Sequence, residues 1–544
     1  MASVVDFTPE TVSRLKVAWT YQTNATPPNP RAAQIAAFEA TPVLADGLVY
    51  VITPFDQVIA LDPASGKEQW RYDPKLAKDR NYSEASARGV AVADGVVYFG
   101  TLDARLIALE SKSGRELWQT RVGAAENDGN YQITSAPVVA RNTVIVGSSI
   151  GDNGRAEMER GTVRAFDAKT GKLKWSWDPT PGGKTGAANS WAPLSVDGPR
   201  DLVLVPTGSA SPDFFGGLRP GDNRYANSVV ALRISTGALV WSFQVVHHDL
   251  WDYDVASRPE LIEINGTPAV GVLSKVGHYF ALDRLTGKPL LPVEERAVPK
   301  SDVEGEAASP MQPFPITGVF TQQRFVPRPG WCTEEFQKLR YEGLFTPPSL
   351  RGTLLFPGNV GGANWGSGSY DASRGLLFVA ANRLATAVKL IPREVFDSAK
   401  NGETGERWGQ EYAAQRGTPF GMSRKTFLAP DGRPCNEEPW GALVAIDVAT
   451  GKVKWEAPML VSLGGPLAVN GVVFFGGTIF ESKLRAYGAS DGKKLWEADL
   501  PFSAHSVPGT YVWQGKRYLV VCAGGHGKID GSKQGGAVIA YTLE

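Results

Sequence analysis

Residues 247–254 read HHDLWDYD and place two of the chain's five histidines, three acids, a Trp and a Tyr in eight consecutive positions. A solvated loop accounts for the charges and not for the rings. A core strand accounts for the rings and not for the acids. Both are accounted for by a site, with acids held in a partly buried, aromatic-lined place. Other strings carry chemistry of matching kind: GDNGRAEMERG with Asp152 and Asn153, NSWAPLSVD with Trp191, PTGSASPDFFGG with Asp213, and Lys275 in the otherwise apolar VGVLSKVGHYFALD. A lysine in such a strand needs a partner or a solvent-filled channel. Asp and Asn are hard oxygen donors suited to Ca²⁺ or Mg²⁺ rather than zinc, and no His-x-x-x-His or Cys-x-x-Cys occurs. Taken singly, Asp-Asn-Gly is an ordinary turn and Asn-Ser-Trp-Ala-Pro an ordinary loop. Together, in consecutive stretches of chain, they point to one site.

The elements that position these residues are set by a repeat. ALDPASGKEQW ends at Trp70, ALESKSGRELW at Trp118, AFDAKTGKLKW at Trp175 and ALRISTGALVW at Trp241. ALDRLTGKPLL ends at Leu291, AIDVATGKVKW at Trp455 and AYGASDGKKLW at Trp496. In each, a strand runs into an Asp- or Ser-containing turn, Gly takes the left-handed position, and a new strand carries the Trp. GSYDASRGLLFVAAN (368–382) is a degenerate copy, and the final GAVIAYTLE lacks its Trp, which LKVAW with Trp19 supplies from the other end. The expectation is an all-β protein: one domain over 1–544, an eight-bladed β-propeller of four-stranded antiparallel blades closed by the N- and C-terminal strands, with insertions near 292–350 and 395–440. The repeated tryptophans are expected to pack between blades.

Composition agrees and excludes some functions. The 544 residues are 42% hydrophobic, with 60 Gly, 38 Pro and 15 Trp, as suits a turn-rich β protein. Fifty-six basic and 56 acidic residues cancel, which argues against nucleic acid as a main partner. No apolar run is long enough for a membrane span. The N-terminus lacks the basic start and apolar stretch of a signal peptide, so a cytoplasmic protein or a mature, trimmed chain is expected. Three cysteines (Cys332, Cys435, Cys522) allow one disulfide or three buried thiols, and the sequence leaves both open.

The Trp-bearing repeats together with HHDLWDYD and AGGHG resemble the quinoprotein dehydrogenases, which use pyrroloquinoline quinone (PQQ). LRYEGLFTPPS, LLFPGNV, KLIPRE, LGGPL, KLRAY and VVCAGGHGK are similar to the membrane-bound glucose, quinate and polyol dehydrogenase branch, in order along almost the whole chain. The resemblance implies an eight-bladed propeller that oxidises an alcohol, polyol or sugar hydroxyl with PQQ and Ca²⁺ or Mg²⁺, and passes electrons to a quinone or another carrier. It implies Asp252 as catalytic base, Lys275 on the quinone oxygens and Trp191 as the floor beneath the cofactor. Asn364 and Trp365 fall to cofactor contacts, and Asp152, Asn153 and, on weaker grounds, Asp213 to the metal. It implies a periplasmic location. The branch's membrane domain has no counterpart in these residues, so a membrane-anchored partner is the implied link to a membrane.

One string departs from the branch. In NYSEASARGV (81–90), Glu84 stands where a His precedes Arg-Gly-Val, which places Glu84 and Arg88 at the cofactor's ceiling. A carboxylate there would repel an anionic cofactor unless it turned away, held a proton or served the substrate. The expectation taken is that Glu84 turns to Arg88, four residues on. Two rival readings stand beside the enzyme: a non-catalytic propeller scaffold of the cell envelope, and a protein of this fold whose PQQ affinity Glu84 has weakened.

Overall fold

The computed structural model describes residues 6–123, 130–399, 405–407, 410–528 and 534–544. Antiparallel sheet dominates. Seven sheets of the described residues have four strands, beginning with Val43–Ala45, Leu48–Ile52, Val58–Leu61 and Glu68–Tyr72. An eighth repeat sheet has three: Glu260–Ile264, Thr267–Leu273 and Tyr279–Asp283. Apolar cores lie between successive sheets. Val163 and Trp175 pack with Val203 and Val230, for example, and Phe378 and Leu443 with Val473 and Phe475. The first strand, Leu15–Gln22, pairs antiparallel with the last, Ala537–Leu543, and their sheet shares a core with the 43–72 sheet.

The repeat string explains these contacts. In ALDPASGKEQW the Asp62 carboxylate accepts from the Ser65 hydroxyl and the Ser65 amide, closing the turn and putting Gly66 at φ +70°. That glycine receives the Trp of the preceding sheet. A Cβ built on Gly66 would lie 2.5 Å from the Trp19 ring, and one on Gly114 would lie 2.5 Å from Trp70. The same holds for Gly171 against Trp118, Gly237 against Trp175, Gly287 against Trp241 and Gly492 against Trp455. Each indole N–H then donates to a carbonyl in the next unit, as from Trp19 to Pro63 at 3.1 Å and from Trp175 to Ile234 at 2.8 Å. Where the fifth repeat has Leu291, its methyl group faces Gly451 instead.

The degenerate hairpin is not a unit of its own. Gly368–Asp371 and Leu376–Asn382 share one sheet with Gly441–Asp447 and Val453–Met459, the strand that carries Trp455. The chain leaves this sheet at Asn382 and returns at Gly441. In between it adds strands to a separate five-stranded sheet, ordered Thr353–Leu355, Thr386–Pro392, Phe420–Thr426, Gln410–Ala413, Gly405–Arg407. The inserted layer is thus wider than 395–440, because its first strand precedes the hairpin; residues 400–404 and 408–409 of that expected stretch lie outside the described residues. The 292–350 stretch contributes the hairpin Val293–Ala297/Met311–Pro315 and the helix Trp331–Phe336. Cys332 on that helix is disulfide-bonded to Cys435, joining the two insertions, while Cys522 is a buried thiol.

The indole–glycine contact can be separated from backbone strain. Gly114→Ala meets both the Trp70 ring and a φ of +71°; Gly95→Ala has φ +77° with nothing within 4 Å. Gly114→Ala is expected to cost about 2–4 kcal/mol and Gly95→Ala about 1 kcal/mol, read from urea unfolding midpoints. Equal losses would mean the ring contact contributes nothing.

Candidate functional site

Residues from most of these sheets and from the inserted layer converge on a cavity of about 930 Å³. The HHDLWDYD string divides its labour around it. The histidines fasten the insertion: the backbone of His247 exchanges hydrogen bonds with Gln312, and His248 Nε2 meets Glu306 at 2.9 Å. Trp251 and Tyr253 are buried anchors, donating to the carbonyls of Thr346 (2.8 Å) and Pro357 (2.5 Å). Asp249 builds the turn, its carboxylate accepting from the amides of Trp251 (3.1 Å) and Tyr253 (2.9 Å) and from the Ser209 hydroxyl. Burial pushes the Asp249 carboxyl up to about 6, against the Ser209 hydrogen bond. Asp252 and Asp254 are left to line the cavity. Asp252 has φ +61°, a left-handed conformation that costs an Asp about 1 kcal/mol, and the bonds of Asp249 and the two ring anchors on either side hold it there.

Lys275 follows the strand Thr267–Leu273 and joins the two lining acids. Its Nζ donates to Asp252 Oδ1 at 2.6 Å and to Asp254 Oδ2 at 3.0 Å. Burial opposes the ammonium, but the two carboxylates outweigh it and its pKa is raised. Asp254 also accepts from Trp191 Nε1 (3.0 Å) and from the Ser209 amide (2.7 Å). Burial alone would raise its pKa, yet Lys275 and these donors hold it below the ordinary carboxylate range. A single hydrogen-bonded run therefore links Trp191, Asp254, Lys275 and Asp252, and all four line the cavity.

Asp152 and Asn153 stand on the same wall. Burial, then the charges of Asp252 and Asp254, raise the Asp152 carboxyl well above its ordinary value. Asp213 lies behind them rather than among the lining residues. It is fully buried, it accepts from Asn153 Nδ2 at 2.7 Å, and its Oδ1 has no hydrogen-bond partner among the described residues. Asn364 lines the cavity, but its amide is spent within its own loop, donating to the Val360 carbonyl and accepting from the Trp365 amide. The Arg88 guanidinium lies 5.1 Å from the Trp191 ring and 5.3 Å from that of Trp365.

The expected Glu84–Arg88 pair does not form. Arg88 is taken by the buried Glu39 at 3.0 Å, while Glu84 faces Lys528 Nζ at 3.4 Å, from the other end of the chain. Burial drives both choices: Arg88 and Glu39 are each out of water and need each other, whereas Glu84 and Lys528 are partly solvated. Sequence reasoning missed Glu39, Lys528, Arg424 and Glu411. Lys528 had a signal, since it directly follows AGGHG. Arg424 and Glu411 had none, because they lie in the inserted layer; there Arg424 Nη1 donates to Asp252 Oδ2 at 2.7 Å and its Nε faces Glu411.

The family described as "PQQ: Glucose/ethanol/alcohol dehydrogenase, beta-propeller domain" matches residues 2–519. Quinoprotein glucose dehydrogenase A of Acinetobacter calcoaceticus is 34% identical over 98% of this chain and 76% of its own length. Quinate/shikimate dehydrogenase (quinone) of Acinetobacter baylyi is 33% identical over the same shares. Among solved structures, quinohemoprotein alcohol dehydrogenase from Comamonas testosteroni superposes with a TM-score of 0.74 at 25% identity, covering 99% of this chain and 78% of that one. A europium-containing methanol dehydrogenase shares the fold with a TM-score of 0.75 at 22% identity, covering 99% and 95%.

The roof carries a measurable charge. Burial raises the Glu39 carboxyl from 4.5 to about 7, with Arg88 opposing and Glu84 assisting. The folded chain thus holds this proton more tightly than the unfolded chain, so the group's contribution to stability falls as pH rises from 4.5 to about 7. Glu39→Gln is expected to flatten the pH dependence of the unfolding midpoint in that window. An unchanged slope would mean Arg88 keeps Glu39 ionised throughout.

Proposed function

This chain belongs to the family of PQQ-dependent glucose, ethanol and alcohol dehydrogenases, and we propose that its cavity oxidises a carbinol group with Asp252 as the base. The enzyme class follows from the family: a quinoprotein oxidoreductase acting on alcohol or sugar hydroxyls. The observation that supports the site is the run Trp191–Asp254–Lys275–Asp252 in one cavity wall.

The residues fit the cofactor. PQQ is flat and carries three carboxylates and an ortho-quinone, so it needs a planar apolar surface and cationic donors. Trp191 offers the surface. Arg88 and Lys275 offer the charge, and Arg88 Nε is buried without a hydrogen-bond partner among the described residues. Glu84 does not stand against the fit, because Lys528 faces its carboxylate. A divalent ion fits as well. Asp152, Asp252 and Asp254 bring three carboxylates to a wall where Lys275 answers two, and Asp152 with Asn153 presents hard oxygen donors. Among the described residues no three acids, histidines or thiolates are grouped so as to hold an ion by themselves, so the cofactor's own oxygens would have to supply the other ligands. Asp213 then serves by holding the Asn153 amide from behind.

Held by Trp191, Arg88 and Lys275, PQQ would supply the acceptor for the two electrons and the hydrogen of the carbinol carbon, and a divalent ion at Asp152 and Asn153 would make that acceptor more electrophilic. Asp252 takes the hydroxyl proton as that C–H bond breaks. Lys275 holds Asp252 Oδ1 in place and supplies positive charge beside the electron acceptor. Trp191 orients the ring and is itself fixed by Asp254. The eight repeat sheets act as eight blades of one closed ring, with the terminal strands completing the last. Electrons leave to a quinone or another carrier. A periplasmic location is supported by the Cys332–Cys435 disulfide, which suits an oxidising compartment. A scaffold would need the tryptophans of the repeat but not this run of acids and lysine.

Two experiments test the reading. Asp252→Asn should retain PQQ, followed by quenching of tryptophan fluorescence, and lower dye-linked turnover by about a hundredfold or more; unaltered turnover would remove Asp252 from the mechanism. Exhaustive chelation should abolish turnover, with recovery on adding Ca²⁺ or Mg²⁺. Full activity in protein shown to be metal-free would end the metal assignment.

A further inference from the structure

The wall facing Asp252 from the inserted layer is basic. Arg416, Arg424, Lys425 and Arg433 line the cavity there, Arg433 paired with Asp431 outside it, and Glu411 is the one acid among the described lining residues of that layer. Arg424, on the strand Phe420–Thr426, is placed with care. Glu411 lies directly opposite it across the strand pair Gln410–Ala413/Phe420–Thr426 and faces its Nε. Its guanidinium carbon is 5.6 Å from the Phe214 ring, and its Nη1 donates to Asp252 Oδ2 at 2.7 Å. Three contacts thus fix the plane of the guanidinium, while Nη2 has no hydrogen-bond partner among the described residues.

We propose that Arg424 makes this enzyme selective for hydroxylated carboxylates, its free edge receiving the carboxylate of a substrate whose hydroxyl is presented to Asp252. The proposal rests on the reading of Asp252 as base. A hydroxyl that gives its proton to Asp252 comes within about 2.6–3.2 Å of a carboxylate oxygen, and the other oxygen of that carboxylate is already on Arg424. A carboxylate one or two carbons from the reacting carbon is therefore presented to Nη2. Lys275 already bonds Oδ1 of Asp252, so Arg424 brings a second cation to that carboxylate and keeps Nη2 for a ligand. Neutral hydroxyls can also accept from Arg424, but hydrogen bonds to a charged acceptor are about twice as strong. Arg416 and Lys425, further out on the same wall, draw an anion toward the site.

The test uses protein loaded with PQQ and Ca²⁺. Turnover is compared within pairs that differ in the charge: glycerate with glycerol, gluconate with glucitol, quinate with its methyl ester. Binding is read separately by calorimetry with 2-hydroxyisobutyrate and its amide, tertiary alcohols that cannot be oxidised at the carbinol carbon. The acid is expected to exceed its neutral partner about tenfold or more in kcat/KM in at least one pair, and to bind more tightly than the amide. Arg424→Met should cut both acid-to-neutral ratios about tenfold, Arg424→Lys should recover part of the loss, and Lys425→Gln should cause a smaller one. Preference for the neutral partner in every pair, or ratios indifferent to Arg424→Met, would overturn the proposal. So would loss of PQQ binding in Arg424→Met, which would assign the wall to the cofactor, or tighter binding of glycerol 3-phosphate than of glycerate, which would assign it to phosphate esters. If PQQ binds and no pair turns over, the reading of Asp252 falls instead, and the calorimetric ratio alone decides the charge preference.

Discussion

The indole of one sheet resting on the turn glycine of the next is the contact on which everything else in this molecule depends. It recurs from Trp19 on Gly66 to Trp455 on Gly492 and sets both the distance and the angle between neighbouring sheets. Only glycine serves, because φ is positive and a Cβ would enter the ring. The indole N–H to the next carbonyl fixes the direction of approach at the same point. A repeated dock of this kind leaves the loops free to differ, and the functional groups occupy that freedom: Asp152, Trp191, Asp252 and Lys275 come from different units yet reach one cavity.

Inside the cavity the controlling fact is an excess of buried acid. Asp152, Asp213, Asp249, Asp252 and Asp254 crowd one region, and each is dealt with differently. Asp249 is neutralised in effect by its turn, Asp254 by Lys275 and Trp191, and Asp252 by Lys275 and Arg424. Asp152 and Asp213 have no such cation, and burial raises both well above the ordinary carboxylate range. Asp152 is the carboxyl on this wall that the proposed divalent ion would take. Arg88 with Glu39 and Lys528 with Glu84 form a roof of paired charges. Charge is thus unevenly placed: acids gather around Asp152, the roof is paired, and the lining of the inserted layer is basic.

The inserted residues tie themselves to the cavity through the same string that carries Asp252 and Asp254. His247, His248, Trp251 and Tyr253 each grip a residue of the 292–360 region, while Asp252 and Asp254 between them face inward. The strained backbone at Asp252 is tolerated because neighbours on both sides are over-determined. A disulfide between Cys332 and Cys435 binds the two insertions to each other. The inserted residues and the cavity-lining acids are in this way mechanically joined.

Local chemistry was legible in the sequence wherever a residue's role is decided by its near neighbours. The Asp-x-x-Ser/Thr-Gly turn and its following Trp announce themselves because the hydrogen bonds that make the turn lie within five residues. The strings holding Asp152, Trp191, Asp252 and Lys275 were legible too, since acids, rings and a lysine in apolar surroundings have few other uses. The choice of partner was not legible. Glu84 and Arg88 are four residues apart, yet Arg88 answers Glu39 and Glu84 answers Lys528, because the cost of burying a charge is settled by whatever the fold brings alongside it. The degenerate hairpin at 368–382 reads as a unit of its own, but strand pairing across a long insertion joins it to the Trp455 strand. Arg424 illustrates the same limit: it sits in an irregular insertion with no pattern, and only the tertiary structure carries it across 172 residues of chain to within 2.7 Å of Asp252.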